Sequence, residues 1–203
     1  MRPVRATRTV LTRIPESWAW MAPDLLQRLL PFAAVVAVVE IVWRPSWLGF
    51  STGRLGAQLA FAAVAAPVLF VAAAFVQLRL ARRRGALSVP AGVDDAAFQA
   101  AFYVLNGPIE EAFFRGLVQG GLGVVLGAPV GFAAGTAAYV LYHRLAWPWA
   151  ETLATALVGI PLGLAFWLLP GPPSLLGVSL AHIAATCGFL GPGPYLLKKL
   201  GFA

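Results

Sequence analysis

The sequence predicts an all-α fold, a polytopic bundle of about six transmembrane helices preceded by an N-terminal interfacial amphipathic segment, and three observations carry that reading. Of 203 residues, 60% are hydrophobic and 11% are charged, against roughly a quarter charged in soluble domains. The apolar residues gather in runs close to the ~20 residues needed to cross ~30 Å of hydrocarbon. The basic residues, which give a net charge of +7, sit at the ends of those runs, where cytoplasmic loops of membrane proteins collect Lys and Arg. They form no patch with interleaved aromatics, so nucleic acid is excluded as a partner. The lipid bilayer is the partner that composition implies.

The elements follow in order. Arg2, Arg5, Arg8 and Arg13 make a basic cytoplasmic head; no short apolar core with a small-residue cleavage site follows them, so no cleavable signal peptide is read there. Residues 14–28, where Trp18, Trp20, Asp24 and Arg28 interrupt apolar positions, form the interfacial segment. Spans are expected at about Leu29–Leu48, Leu55–Leu78, Ala96–Gly120, Pro129–His143, Ala150–Leu169 and Ser174–Leu196. The chain thus divides into a head and interfacial segment, 1–28, and a single transmembrane domain, 29–203, with the motif-bearing core at 96–190. Arg79, Arg82, Arg83, Arg84, Arg144, Lys198 and Lys199 fall on the side of the N-terminus, and only Arg44 and Arg54 on the other. That asymmetry predicts a multi-pass plasma-membrane protein with both termini in the cytoplasm. Gly116 and Gly120, Gly127, Gly131 and Gly135, and Gly159 and Gly163 recur at four-residue spacing, which lets helix backbones approach closely in lipid. The lone Cys187 permits no disulfide framework and reads as a small buried hydrophobe.

Chemistry concentrates in the stretch from Asn106 to Gly116, where Glu110, Glu111 and Arg115 lie inside one apolar span. Each costs roughly 2.5–3.5 kcal/mol at mid-bilayer, on the order of 10 kcal/mol together, so all three must face protein or water. Glu111 and Arg115 stand four apart with the acid first, the favourable order for a helical ion pair. Adjacent residues point about 100° apart, which leaves Glu110 free for chemistry. Pro108 removes a backbone donor just before the acids. The only two histidines, His143 and His182, both fall in later spans, each four residues from a polar partner, Tyr139 and Thr186. Glu110 is suited to general-base work, His143 to sharing the activation of a water, and His182 and Thr186 to holding a developing oxyanion.

The run Glu110-Glu111-x-x-x-Arg115, then Tyr139-x-x-x-His143, then His182-x-x-x-Thr186, on successive spans, resembles the CPBP family: the CAAX proteases and bacteriocin-processing proteins, which are glutamate-dependent intramembrane endopeptidases. The resemblance covers roughly residues 96–190. It implies that Glu110 and His143 activate the hydrolytic water, that His182 and the residue four later hold the oxyanion, and that Glu111 and Arg115, with Tyr139 nearby, shape the site. Tyr139 stands where the family usually has Phe, and Thr186 where it usually has Asn or Asp. The phrase Phe113-Phe114-Arg115-Gly116-Leu117-Val118-Gln119 is similar to the sorting-type, myxosortase-like branch, which implies a bacterial plasma membrane.

The expected function is hydrolysis of a peptide bond in a membrane-anchored or lipidated protein or peptide, by CAAX-type, sorting-tail or bacteriocin-leader processing. No cofactor is required. Two other readings use the same residues: Glu110, His143 and His182 as three metal ligands, or as a proton relay in a transporter. A non-proteolytic membrane scaffold or immunity factor of the same fold is a further one. Gly177-x-Ser179 is too short to carry a serine-protease reading, and Cys187 lies about 140° round the helix from His182, the wrong side for a thiol nucleophile with that base.

Overall fold

The computed structural model describes residues 16–85 and 87–202; the four arginines of the expected head, and residues 14 and 15 of the interfacial segment, lie outside them. Ten α-helices make up the fold, with no strand among the described residues: α1 (Trp18–Asp24), α2 (Leu30–Trp43), α3 (Leu55–Arg84), α4 (Val93–Glu111), α5 (Gly121–Leu126), α6 (Ala128–Tyr142), α7 (Trp149–Ala154), α8 (Ala156–Leu168), α9 (Leu176–Phe189) and α10 (Pro192–Lys199). Two π-helical segments, Leu25–Leu29 and Ala112–Gly120, join α1 to α2 and α4 to α5 without a break. The interfacial residues from Trp18 onward therefore continue helically across position 28 into α2.

Punctuation follows local chemistry. The residue after α2, Arg44, takes a left-handed conformation (φ 43°) and Pro45 prevents continuation. Asp94 and Asp95 occupy the first turn of α4, where acids favour the positive end of the helix dipole. Gly127, with φ 94°, turns the chain from α5 into α6, a conformation most L-residues avoid.

Among the described residues, three helical stretches are long and apolar enough to cross a membrane: Trp18–Trp43, Leu55–Arg84 and Trp149–Leu168; α9 with α10, bent by 45°, would add a fourth if the pair is one span. Six spans are expected from the sequence. The stretch Ala96–Gly120 carries three ionisable side chains in its second half, and Pro129–His143 forms only the 15-residue α6, short of a full crossing. Large apolar side chains point outward: Ile41 is 74% exposed, Trp43 68% and Val125 76%. An exterior of that kind suits lipid rather than water.

The interior is built from small residues and polar groups. A core cluster of Val36, Leu48, Leu69, Leu162, Phe166 and Val178 with several alanines packs on one side. On the other, α9 lies between α3 and α4 at distances that only glycine permits. A Cβ at Gly188 would strike the backbone carbonyl of Phe70 on α3, and one at Gly107 on α4 would lie 2.8 Å from Ile183 Cγ1 on α9. The loops before α3 and α9 are stitched by Ser51 Oγ donating to the Pro173 carbonyl at 2.7 Å and Ser174 Oγ to the Ser51 carbonyl at 2.7 Å. At the other end of α3, Arg84 pairs with the buried Glu151 of α7 at 2.7 Å.

Replacing Gly188 by Val is expected to destabilise the protein by about 1–3 kcal/mol, the usual cost of overpacking. Gly56→Ala, where a Cβ meets nothing within 4 Å, should be neutral or slightly stabilising. Thermal unfolding of both variants in detergent micelles checks the pair.

Candidate active site

The close approach of α4 and α9 at Gly107 puts the acids of α4 against His182. Helix α4 runs through Pro108 and widens into the π segment immediately after Glu111. Glu110 is 3% exposed, and Glu111 and Arg115 are fully buried. Arg115 Nε donates to Glu111 Oε2 at 3.2 Å, and its Nη1 reaches Thr136 Oγ1 on α6 at 3.4 Å. The guanidinium also stands over the Tyr139 ring, 5.1 Å from the centroid, a cation–π contact. Glu111 Oε1 accepts from His182 Nδ1 at 2.6 Å. The other imidazole nitrogen, Nε2, faces Glu110 Oε2 at 3.4 Å. His182 thus bridges the two adjacent carboxylates, one nitrogen to each, although they point in different directions from the helix.

The two histidines are linked by an aromatic. Tyr139 meets His182 edge-on at 5.6 Å between centroids and His143 at 4.8 Å. His143 follows the end of α6 in a short 3-10 turn, and its Nδ1 donates to the Tyr139 carbonyl at 2.7 Å. In the neutral ring that bond leaves the Nε2 lone pair available. Thr186 sits one turn beyond His182 on α9. Glu110, Tyr139, His143, His182 and Thr186 all line one cavity of about 610 Å³, within the range of ligand pockets. Ser179 and Cys187 are not among its lining residues.

Helix geometry alone leaves Glu110 free, but in the structure it has a charged partner. Arg28, from the π segment after α1, donates through Nη1 to Glu110 Oε1 in a short ion pair. The same guanidinium grips Asp24 twice, Nε to Oδ1 at 2.7 Å and Nη2 to Oδ2 at 2.5 Å, and reaches Asn106 Oδ1 at 2.5 Å. The reason is burial: a carboxylate this deep in an apolar bundle needs a compensating charge, and Glu111 already takes Arg115. The sequence carried a signal for this partner. Counting charges within the apolar stretches leaves one carboxylate of the Glu110–Glu111 pair without a cation, and Asp24-x-x-x-Arg28 is an acid-first, four-residue pair on the preceding helical stretch.

A second buried polar group lines the far end of the cavity. Asp95 accepts from Ser17 Oγ and from the Ala91 backbone N–H at 3.1 Å, Gln99 Nε2 donates to Ser17 Oγ at 2.6 Å, and Tyr103 donates to Gln99 Oε1 at 3.3 Å. Asp95, Gln99, Tyr103, Asn106 and Glu110 therefore form a polar stripe along α4. Among the described residues, no three His, Cys, Asp or Glu side chains are grouped as a metal site.

The fold and this cluster define an all-α integral membrane protein with a glutamate–histidine centre in the wall of an internal cavity. Residues 92–187, from just before α4 to near the end of α9, match the family model for the type II CAAX prenyl endopeptidase Rce1-like proteins, a family of membrane peptide hydrolases. No curated protein matches the chain, and no solved structure does.

Arg115→Met is expected to lower stability by about 3–5 kcal/mol, because it strands a buried carboxylate. The double replacement Glu111→Gln with Arg115→Met should cost less than the two single changes summed. Denaturation in micelles reads the cycle.

Proposed function

We propose that the protein is an intramembrane endopeptidase that hydrolyses a peptide bond in a membrane-anchored or lipidated protein. The observation that carries this reading is convergence: Glu110 from α4, His143 from the end of α6, and His182 and Thr186 from α9 line one buried cavity. In the proposed step Glu110, assisted by His143, takes a proton from water as its oxygen attacks the scissile carbonyl carbon. Thr186 and His182, the latter as the imidazolium donating through Nε2–H while Nδ1–H stays on Glu111, hydrogen-bond the oxygen that becomes negative. The C–N bond then breaks, and the amine leaves with a proton returned from the Glu110–His143 pair. Glu111 and Arg115 keep His182 oriented through the bond at Nδ1. The match of residues 92–187 to an endopeptidase family model supports the reaction class. A tail entering between helices and lying along the polar stripe of α4 would reach Glu110 from the Asp95 end of the cavity.

Glu110→Gln should lower cleavage by about 10²–10⁴-fold, the span of general-base contributions. The measurement compares membrane fractions holding the wild-type and Glu110→Gln proteins for an uncleaved precursor that accumulates with the variant. Undiminished processing, with the variant folded and inserted, would overturn the assignment. Thr186→Val should lower kcat by about 10²–10³-fold if its hydroxyl serves the oxyanion, with KM little altered; Thr186→Asn should restore much of the loss. Steady-state kinetics on the same precursor reads both.

A further inference from the structure

We infer that Arg28, held by Asp24 and Asn106, is a positioning residue for Glu110: it fixes one carboxylate oxygen so that the other is held facing His182. The inference rests on the hydrolytic reading above and extends the site to a helix outside the family-matched segment.

The first ground is the division of labour on the carboxylate. Glu110 Oε1 takes the Arg28 ion pair. Glu110 Oε2 is itself buried, accepts no hydrogen bond from the described residues and stands 3.4 Å from His182 Nε2, in a side chain at the cavity wall. A carboxylate free to rotate about its last bond could settle against His182 with either oxygen. Pinning Oε1 on the opposite side removes that freedom. The oxygen left over is held beside His182, and in the proposed reaction it is the one that receives the proton.

The second ground is that Arg28 is itself held. All three guanidinium nitrogens are engaged: Nε with Asp24, Nη1 with Glu110, and Nη2 with Asp24 and Asn106. The fork on Asp24 is bidentate, a geometry that orients as well as binds. The helical stretch carrying Arg28 runs parallel to α4 and is fastened to it on both sides. Below, Ser17 bonds Asp95, and Trp20 packs edge-on to Phe102 at 5.7 Å between centroids. Above, Phe32 stacks on Phe113 at 3.9 Å with 7° between planes. Phe113 belongs to the π segment that follows Glu111, so the aromatic stack ties the carrier of Arg28 to the helix of the acid it serves. Arg28 and Arg115 both lie in π-helical segments, an irregularity frequent at functional sites.

These contacts also distinguish positioning from restraint. A cation that must leave before turnover would strand Asp24 as well as Glu110 and would break a fully satisfied fork. Arg28 engages Oε1, so proton transfer to Oε2 requires no such departure.

The test uses the full-length protein in proteoliposomes with the precursor that accumulates when Glu110 is replaced. Arg28→Gln should lower kcat about 30–100-fold, the scale of a misplaced catalytic group, while KM stays within about threefold. Arg28→Lys, which keeps the charge and loses the fork, should recover part of kcat. Asp24→Asn, which loosens the fork without touching Glu110, should lower kcat several-fold. If Arg28→Gln does not fold, the Lys and Asn variants decide the matter by the same split. Unchanged kcat in folded variants, a loss confined to KM, or a rise in kcat would each overturn the inference while Glu110→Gln remains inactive. A Glu110→Gln protein that cleaves normally would overturn the hydrolytic reading first, and this inference with it.

Discussion

Two adjacent carboxylates buried in an apolar helix set the terms for the rest of the molecule. Glu110 and Glu111 would cost several kcal/mol each if left unpaired at that depth, so the fold must bring compensation to them from elsewhere. Arg115 comes from one turn further along the same helical stretch, His182 from α9 and Arg28 from the first helical stretch. Each of those deliveries has a structural condition. His182 arrives because Gly107 lets α9 touch α4. Arg28 arrives because Phe32 and Phe113 stack and Ser17 meets Asp95. The packing of at least three helical elements is thus coupled to the electrostatics of one dipeptide.

The polar network gives a bundle of small residues the specificity that apolar packing alone lacks in lipid. Water expulsion does not drive helices together there, and the core cluster mixes leucines and Phe166 with alanines. Directional contacts, from the Arg28 fork to the Ser51 and Ser174 loop bonds, define which helices meet and in which register. The same contacts leave a cavity rather than a filled centre, because charged and hydroxyl groups converge from different sides without interdigitating.

Much of this is readable in the sequence, and the limits have physical causes. Composition and run length give the all-α membrane architecture, since both follow from the solvent and not from any particular contact. The spacing Glu111-x-x-x-Arg115 anticipates a bond within one helical stretch, because i and i+4 are fixed by helix geometry. The grouping of His143, His182 and Thr186 with Glu110 is harder to read: it depends on how helices cross, which no local spacing encodes, and only resemblance to a family supplies it. The Arg28 contact escapes both routes. It joins residues 82 positions apart, lies outside the family-matched residues, and comes from a stretch whose mixed polarity reads as an interfacial segment.

The helix that runs unbroken from Trp18 to Trp43 bears on how the protein is to be divided. Cut out at its family boundaries, the segment 92–187 would lose the cation facing Glu110, the hydroxyl at Asp95 and the ring stacked on Phe113, three supports supplied by a single rod. Such an excised fragment would carry the full set of motif residues and still leave Glu110 without its arginine. The smallest self-sufficient unit of this fold therefore extends well beyond its signature, back to the first described helix.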